Sequence, residues 1–309
     1  MSERTLSVDL GRGLRLRTPV LVASGTFAYG FDAPLIDRAR LGAIVTKGTT
    51  LRARDGNPPT RIAETPSGML NAIGLQNPGV AVVRREYAPR WAQWDLPVIV
   101  NVAGDRVDDY VEVARRLDGV PGVAGLELNI SCPNVAAGLQ FGLDARLAAE
   151  VTGAVRRATA LHLMVKLTPN VTNLAAIASA IADAGADSLS AVNTFVGMAI
   201  DVRRRRPVLA NVTGGLSGPA IRPLALRAVW EVAATVRIPV IGIGGIASAS
   251  DALEFLLAGA AAVQLGTVNY VNPRAVAEVV EGIEQYAADH GFADLSAFPL
   301  RPSVVPSHA

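Results

Sequence analysis

The sequence predicts a closed α/β barrel, a (β/α)8 TIM barrel, and three observations predict it. Eight short apolar runs, many of them β-branched, are each followed by a loop and then, in most cases, by a stretch of helical length. Half of the 309 residues are hydrophobic but only 5% are aromatic, so Ala, Val, Leu and Ile must build the core, as in buried parallel strands. No glycine-rich dinucleotide fingerprint follows the first run, which argues against an open doubly wound sheet. The length suits one barrel domain over residues 1–309, with roughly 288–309 as a C-terminal tail.

In order, the predicted strands are 20–23 (VLVA), 42–46 (GAIVT), 97–102 (PVIVNV), 124–130 (AGLELNI), 162–167 (HLMVKL), 187–192 (DSLSAV), 238–243 (IPVIGI) and 261–265 (AAVQL). Helices are predicted near 79–92, 106–117, 144–160, 173–184, 220–236, 248–258 and 273–287. Gly185 and Gly259 each fall where a helix should stop before the next strand. Eight strands in this alternation can close on themselves, which removes both exposed sheet edges.

Totals exclude several classes of function. With 29 basic and 27 acidic residues the formal net charge is +2, which does not suggest nucleic acid or an anionic membrane as the main partner. The start, MSERTLSVDL, lacks the basic and apolar segments of a signal peptide, and no window approaches 18 uncharged apolar residues. Cys132 is the only cysteine, so an internal disulfide and the four thiolates of an iron–sulfur cluster are both out of reach. The chain reads as cytoplasmic.

Active sites of such barrels lie at the C-terminal ends of the strands. Those ends read Ser24, Lys47, Asn101, Asn129, Lys166, Asn193, Gly244-Gly245 and Gly266-Thr267. Turn chemistry explains any one of them, but Lys is a poor turn former. Two lysines and three asparagines at equivalent heights point to a polar, planar ligand with several hydrogen-bonding edges. The glycines after strands seven and eight mark the usual phosphate site, and the cluster Gly214–Gly218 would add further N–H donors. Glycines that merely permit tight turns are the plainer alternative.

The segment NISCPN (129–134) carries the most chemistry. A lone cysteine is usually an inert filler, but Cys132 is flanked by Asn129, Ser131 and Asn134 and lies in a loop facing the site. The residues 136–142 hold two glycines and read as a lid, which makes the thiol a candidate base or nucleophile. Blander readings fit the rest. Arg203–Arg206 reads as a solvated loop, Trp91 and Trp94 as packing, and His162 as part of the stability face. No partner is evident for His290 or His308.

The chain resembles the class 1 dihydroorotate dehydrogenases from about residue 5 to residue 285. The likeness rests on ASGTF (23–27), TKGTT (46–50), GMLNAIGLQNPG (68–79), NVAG (101–104) and ELNISCPN (127–134). It continues through VKLTPN (165–170), AVNT (191–194), NVTGGLSGPAI (211–221), GIGGI (242–246) and LGT (265–267). NAIGLQNPG is similar to the NAD-linked subclass 1B. Two departures stand out: Gly48 replaces a common Ala, and the segment after Asn134 is slightly short.

The resemblance implies oxidation of dihydroorotate to orotate with hydride transfer to FMN, within pyrimidine biosynthesis. It implies Cys132 as the catalytic base. Substrate would be held by Lys47, Asn71, Ala72, Ile73, Gly74, Leu75, Asn129, Asn193 and Thr194. FMN would be held by Ser24, Lys47, Gly48, Asn101, Asn129, Lys166 and Val192, with its phosphate on Gly218, Gly244, Gly245, Gly266 and Thr267. No metal is implied on this chain. A homodimer is implied, with electrons reaching NAD through a partner subunit that carries FAD and an iron–sulfur cluster. The alternatives are a fumarate-linked subclass 1A enzyme, a flavin barrel for another dihydropyrimidine, and a non-redox sugar-phosphate isomerase or lyase.

Overall fold

The computed structural model describes residues 6–31, 37–130, 141–295 and 298. Eight parallel strands close into a barrel: β1 (Val20–Val22), β2 (Ala43–Val45), β3 (Val98–Val102), β4 (Gly125–Asn129), β5 (His162–Lys166), β6 (Ser188–Ala191), β7 (Val240–Ile243) and β8 (Ala262–Leu265). Each strand pairs with its neighbours in sequence, and β8 closes on β1 through Val263–Val20 and Leu265–Val22. All eight predicted strands are present, shorter by one or two residues where the chain bends into its loops.

The predicted helices are also present. They start where side chains cap them: Asp144 accepts from the Leu147 N–H, Asn173 from that of Ala176, and Ser248 with Asp251 forms a reciprocal box. The first helical stretch, Val80–Val82 to Ala88–Trp91, contains a π turn at Val83–Tyr87. Trp91 is buried there and donates through Nε1 to the Tyr29 carbonyl, so it packs as expected. The last helix, Ala275–Asp289, ends beneath His290. That ring stacks on Tyr286 at 4.0 Å and bonds its carbonyl through Nδ1, so His290 does have partners.

One end of the barrel is stoppered. A hairpin, Val8–Asp9 with Arg15–Leu16, places Leu10, Leu14 and Leu16 in one buried cluster with Leu21, Val45, Ile99, Met164 and Ile241. Truncating a leucine in such a setting costs about 2–5 kcal/mol. Polar contacts clasp the hairpin to the barrel. Arg12 Nε donates to both oxygens of Asp187, at 2.8 and 2.9 Å, and Arg156 Nη1 donates to Asp187 at 2.8 Å. The His162 ring bridges the Gly11 carbonyl at 3.1 Å and Ser188 Oγ at 2.8 Å. Burial pushes its pKa below the ordinary value of 6.5. His162 is a structural residue, as its place at the start of a strand suggests.

The opposite end carries an addition absent from the sequence reading. Ile62–Thr65, Gly68–Asn71, Thr213–Ser217 and Phe195–Met198 form a four-stranded antiparallel sheet. Its segments leave the C-terminal ends of β2 and β6, so it stands on that side of the barrel. Gly215 pairs on both edges of the strand Thr213–Ser217, with Val196 and Asn71, and Gly214 pairs with Gly197. The glycine cluster is therefore mainly sheet, and only Gly218 remains beyond the strand's end. A smaller hairpin, Ile200–Asp201 with Arg206–Pro207, carries Arg203–Arg206, whose side chains are exposed.

Candidate active site

The C-terminal strand ends bring the predicted polar residues to one rim. Asn129 and Lys166 are register partners on β4 and β5, and Lys166 in turn pairs with Ser190 on β6. Lys166 is almost fully buried and donates through Nζ to Ser24 Oγ at 3.2 Å, reaching across the mouth from β5 to the loop after β1. Asn193 donates through Nδ2 to Asn129 Oδ1 at 3.4 Å, and its own Oδ1 accepts from the Thr194 N–H. Asn129 is further anchored by Tyr110, whose hydroxyl donates to its carbonyl at 2.9 Å.

The added sheet supplies the other wall. Asn71 ends the strand Gly68–Asn71 and donates through Nδ2 to the Gly215 carbonyl at 3.3 Å. Thr194 lies against Gly215, where any side chain would collide with its Oγ1. Ala72, Ile73, Gly74 and Leu75 then lead back toward the barrel. A methyl at Gly48 would stand 3.2 Å from Leu75 Cδ2 and 3.0 Å from Asn101 Oδ1, so these three residues converge. Lys47 faces the same mouth, with its Nζ 3.7 Å from where a Gly25 side chain would begin. Val192 is buried at the end of β6.

The remaining predicted residues cluster at β7 and β8. Gly244 and Gly245 have φ of +129° and +75°, and a Cβ on Gly245 would lie 2.7 Å from the Arg222 backbone nitrogen. That close approach leaves room for backbone only. Thr267 Oγ1 and Ser217 Oγ are 2.8 Å apart and tie the loop after β8 to the added sheet, beside Gly218 and Gly266. Ser217 carries no sequence signal of its own, because it lies among the glycines of 214–218 and only the pairing of that segment in the added sheet brings it to Thr267. Cys132, with Ser131 and Asn134, lies outside the described residues.

One atom shows that this rim suits a ligand. Asn101 is fully buried and donates through Nδ2 to Glu127 at 2.6 Å, yet its Oδ1 has no hydrogen-bond partner. A buried acceptor left unpaired is costly, and this one is placed beside Gly48 at a strand end. A planar ring with an N–H edge would satisfy it, and the Lys166 ammonium would suit an electron-rich edge of such a ring. These residues fit a flavin. Among the described residues no group of three or more His, Cys, Asp or Glu is placed to hold a metal ion. None of their helices is long and apolar enough to cross a membrane.

Comparison with known proteins decides the family. The family model described as dihydroorotate dehydrogenase matches residues 6–286. The chain belongs to the dihydroorotate dehydrogenase family. Among its relatives are proteins named dihydroorotate dehydrogenase B (NAD(+)), catalytic subunit. That of Geotalea daltonii is 54% identical over 297 residues, covering 96% of this chain and 97% of the relative. That of Trichlorobacter lovleyi is 56% identical over 294 residues, covering 94% and 96%. That of Desulforudis audaxviator is 56% identical over 286 residues, covering 92% and 93%. As a dihydroorotate dehydrogenase family member the chain is an oxidoreductase. The added sheet falls within the matched residues.

Proposed function

We propose that this chain oxidises dihydroorotate to orotate, with FMN and substrate held over the C-terminal ends of β1–β8, and passes the electrons toward NAD through a separate subunit. The observation that carries the reading is that one buried rim holds both the Lys166 ammonium and the unpartnered acceptor Asn101 Oδ1. The family membership and the names of the relatives support the substrate and the acceptor.

FMN, when bound, supplies the two-electron acceptor for hydride leaving the carbon that bears the carboxylate. Ser24, Lys47, Gly48, Asn101, Asn129, Lys166 and Val192 would hold its ring and ribityl chain, and Gly218, Gly244, Gly245, Gly266 and Thr267 would offer backbone N–H groups and a hydroxyl to the phosphate. Lys166 would place positive charge near the part of the ring that becomes electron-rich on reduction. Asn71, Asn129, Asn193 and Thr194 bind the pyrimidine and carboxylate of the substrate, with Lys47 between substrate and ring and Ala72–Leu75 closing over them.

Cys132 takes the proton from the methylene carbon. A free thiol with pKa about 8.5 is only about 3% ionised at pH 7, so the rate should climb with pH unless the site favours the thiolate. The single cysteine leaves no ligand set for an iron–sulfur cluster on this chain, so such a cluster, with the FAD that the resemblance implies beside it, would belong to the partner. That the relatives are called catalytic subunits supports this division. On the same reading the chain is one barrel domain that works as a homodimer core in the cytoplasm.

Anaerobic titration tests the proposal. Pure protein should be yellow, release FMN on denaturation, and bleach with dihydroorotate. Colourless protein that gains no flavin on incubation would refute it. The isolated chain should reduce NAD slowly or not at all, and rapid NAD reduction without a partner would refute the proposed electron route.

A further inference from the structure

Below the rim lies a charged residue that the proposed chemistry does not use. Glu127 sits in the middle of β4 and is completely buried. Three neutral donors converge on it: Asn101 Nδ2 on Oε1 at 2.6 Å, and Ser190 Oγ and Gln264 Nε2 on Oε2 at 2.8 and 3.1 Å. The Lys166 ammonium stands 3.9 Å from Oε1. With Glu127 these residues come from β3, β4, β5, β6 and β8, so one carboxylate gathers five of the eight strands. Hydrophobic filling would serve a barrel interior more cheaply, because a buried charge must recover its lost hydration from such contacts. What the carboxylate does to its neighbours gives it a use.

A carboxylate only accepts hydrogen bonds, so each amide beside it must turn its NH2 inward. For Asn101 this leaves Oδ1 pointing away from Glu127, and that oxygen is the unpartnered acceptor near Gly48. The same logic leaves Gln264 Oε1 unpartnered. Glu127 also offsets part of the Lys166 charge at short range in a site sealed from water, where charges act strongly.

We propose that Glu127 is a positioning residue that holds Asn101 as an acceptor toward the flavin and tempers the positive field of Lys166, and so sets how readily the bound flavin is reduced. The inference rests on the flavin reading above. Negative charge beneath the ring disfavours the electron-rich reduced form. Removing it must therefore make reduction easier, whereas removing a donor that neutralises it must make reduction harder.

The test is the reduction potential of the flavin-loaded protein, measured by anaerobic titration against a reference dye. Glu127→Gln keeps the shape and removes the charge. It should shift the reduced-to-oxidised ratio at fixed potential by about tenfold toward reduced flavin, about 30 mV for a two-electron couple. Ser190→Ala removes one donor with little change in volume and should shift the ratio several-fold the other way. Opposite shifts are the expected result, since generally loosened packing does not give opposite signs. Equal potentials, or shifts of one sign in both variants, overturn the proposal. Should Glu127→Gln fail to fold, Ser190→Ala decides alone: a shift toward oxidised flavin supports the role, and no shift or the reverse overturns it. Wild-type protein that binds no flavin refutes the underlying reading instead, so the two failures are distinguishable.

Discussion

Lys166 and Ser24 meet at 3.2 Å although they belong to β5 and to the loop after β1, the strands farthest apart around the barrel. The lysine therefore spans the mouth, and its charge sits over the middle of the site rather than at one wall. Lys166→Met should slow flavin reduction by dihydroorotate by about 10²–10³, the usual loss when one preorganised electrostatic group is removed. Anaerobic stopped-flow bleaching measures it, and a loss below threefold would contradict the assigned role.

Cys132→Ala should nearly abolish flavin reduction, within the 10²–10⁴ range typical of a lost general base, while FMN stays bound. Cys132→Ser should keep a small residue of activity. Normal bleaching of the Ala variant would remove the thiol from the mechanism.

Gly245→Ala should weaken FMN retention by at least tenfold, because its φ of +75° is unfavourable for a side chain and the new Cβ would press on Arg222. Flavin content after gel filtration and fluorescence titration would show it. Full retention would place the phosphate elsewhere.

The clasp at the stoppered end predicts a pH dependence of stability. His162 has a folded-state pKa below 6.5 because of burial, so below pH 6.5 the unfolded chain binds a proton that the folded chain resists. Stability should be full above pH 6.5, fall as the pH drops from there toward the folded value, and fall no further from this group below it. Denaturant midpoints between pH 8 and 5 measure the effect. In His162→Gln this part of the slope should vanish, and an unchanged slope would assign it to other groups.

The barrel strands were legible because apolar runs of strand length are bounded by loops and capped helices, a local signal. The added sheet was not. Its strands are short, one of them reads TGGLS, and glycine has low strand propensity. What makes it a strand is pairing with Gly68–Asn71 and Phe195–Met198, and the first of these lies far away in sequence. Lys47, Asn101, Asn129, Lys166 and Asn193 can be named as candidates from the sequence because strand ends are where barrel chemistry gathers. Glu127, Ser190 and Gln264 lie one or two residues below those ends, inside runs that read as core. The clue was alternation: Glu127 and Asn129 are two apart on one strand and face the same way.

The hairpin at the barrel's other end has a consequence for how the protein is made. Leu10 and Leu14 leave the ribosome long before Ile241 and Ala262, which share their buried cluster. The floor of the barrel cannot be sealed until β7 and β8 have been made, since contacts so distant in sequence must wait for the chain that supplies them. Until then the leading segment stays an apolar thread without its socket, and a nascent chain stalled before β7 has no floor to close.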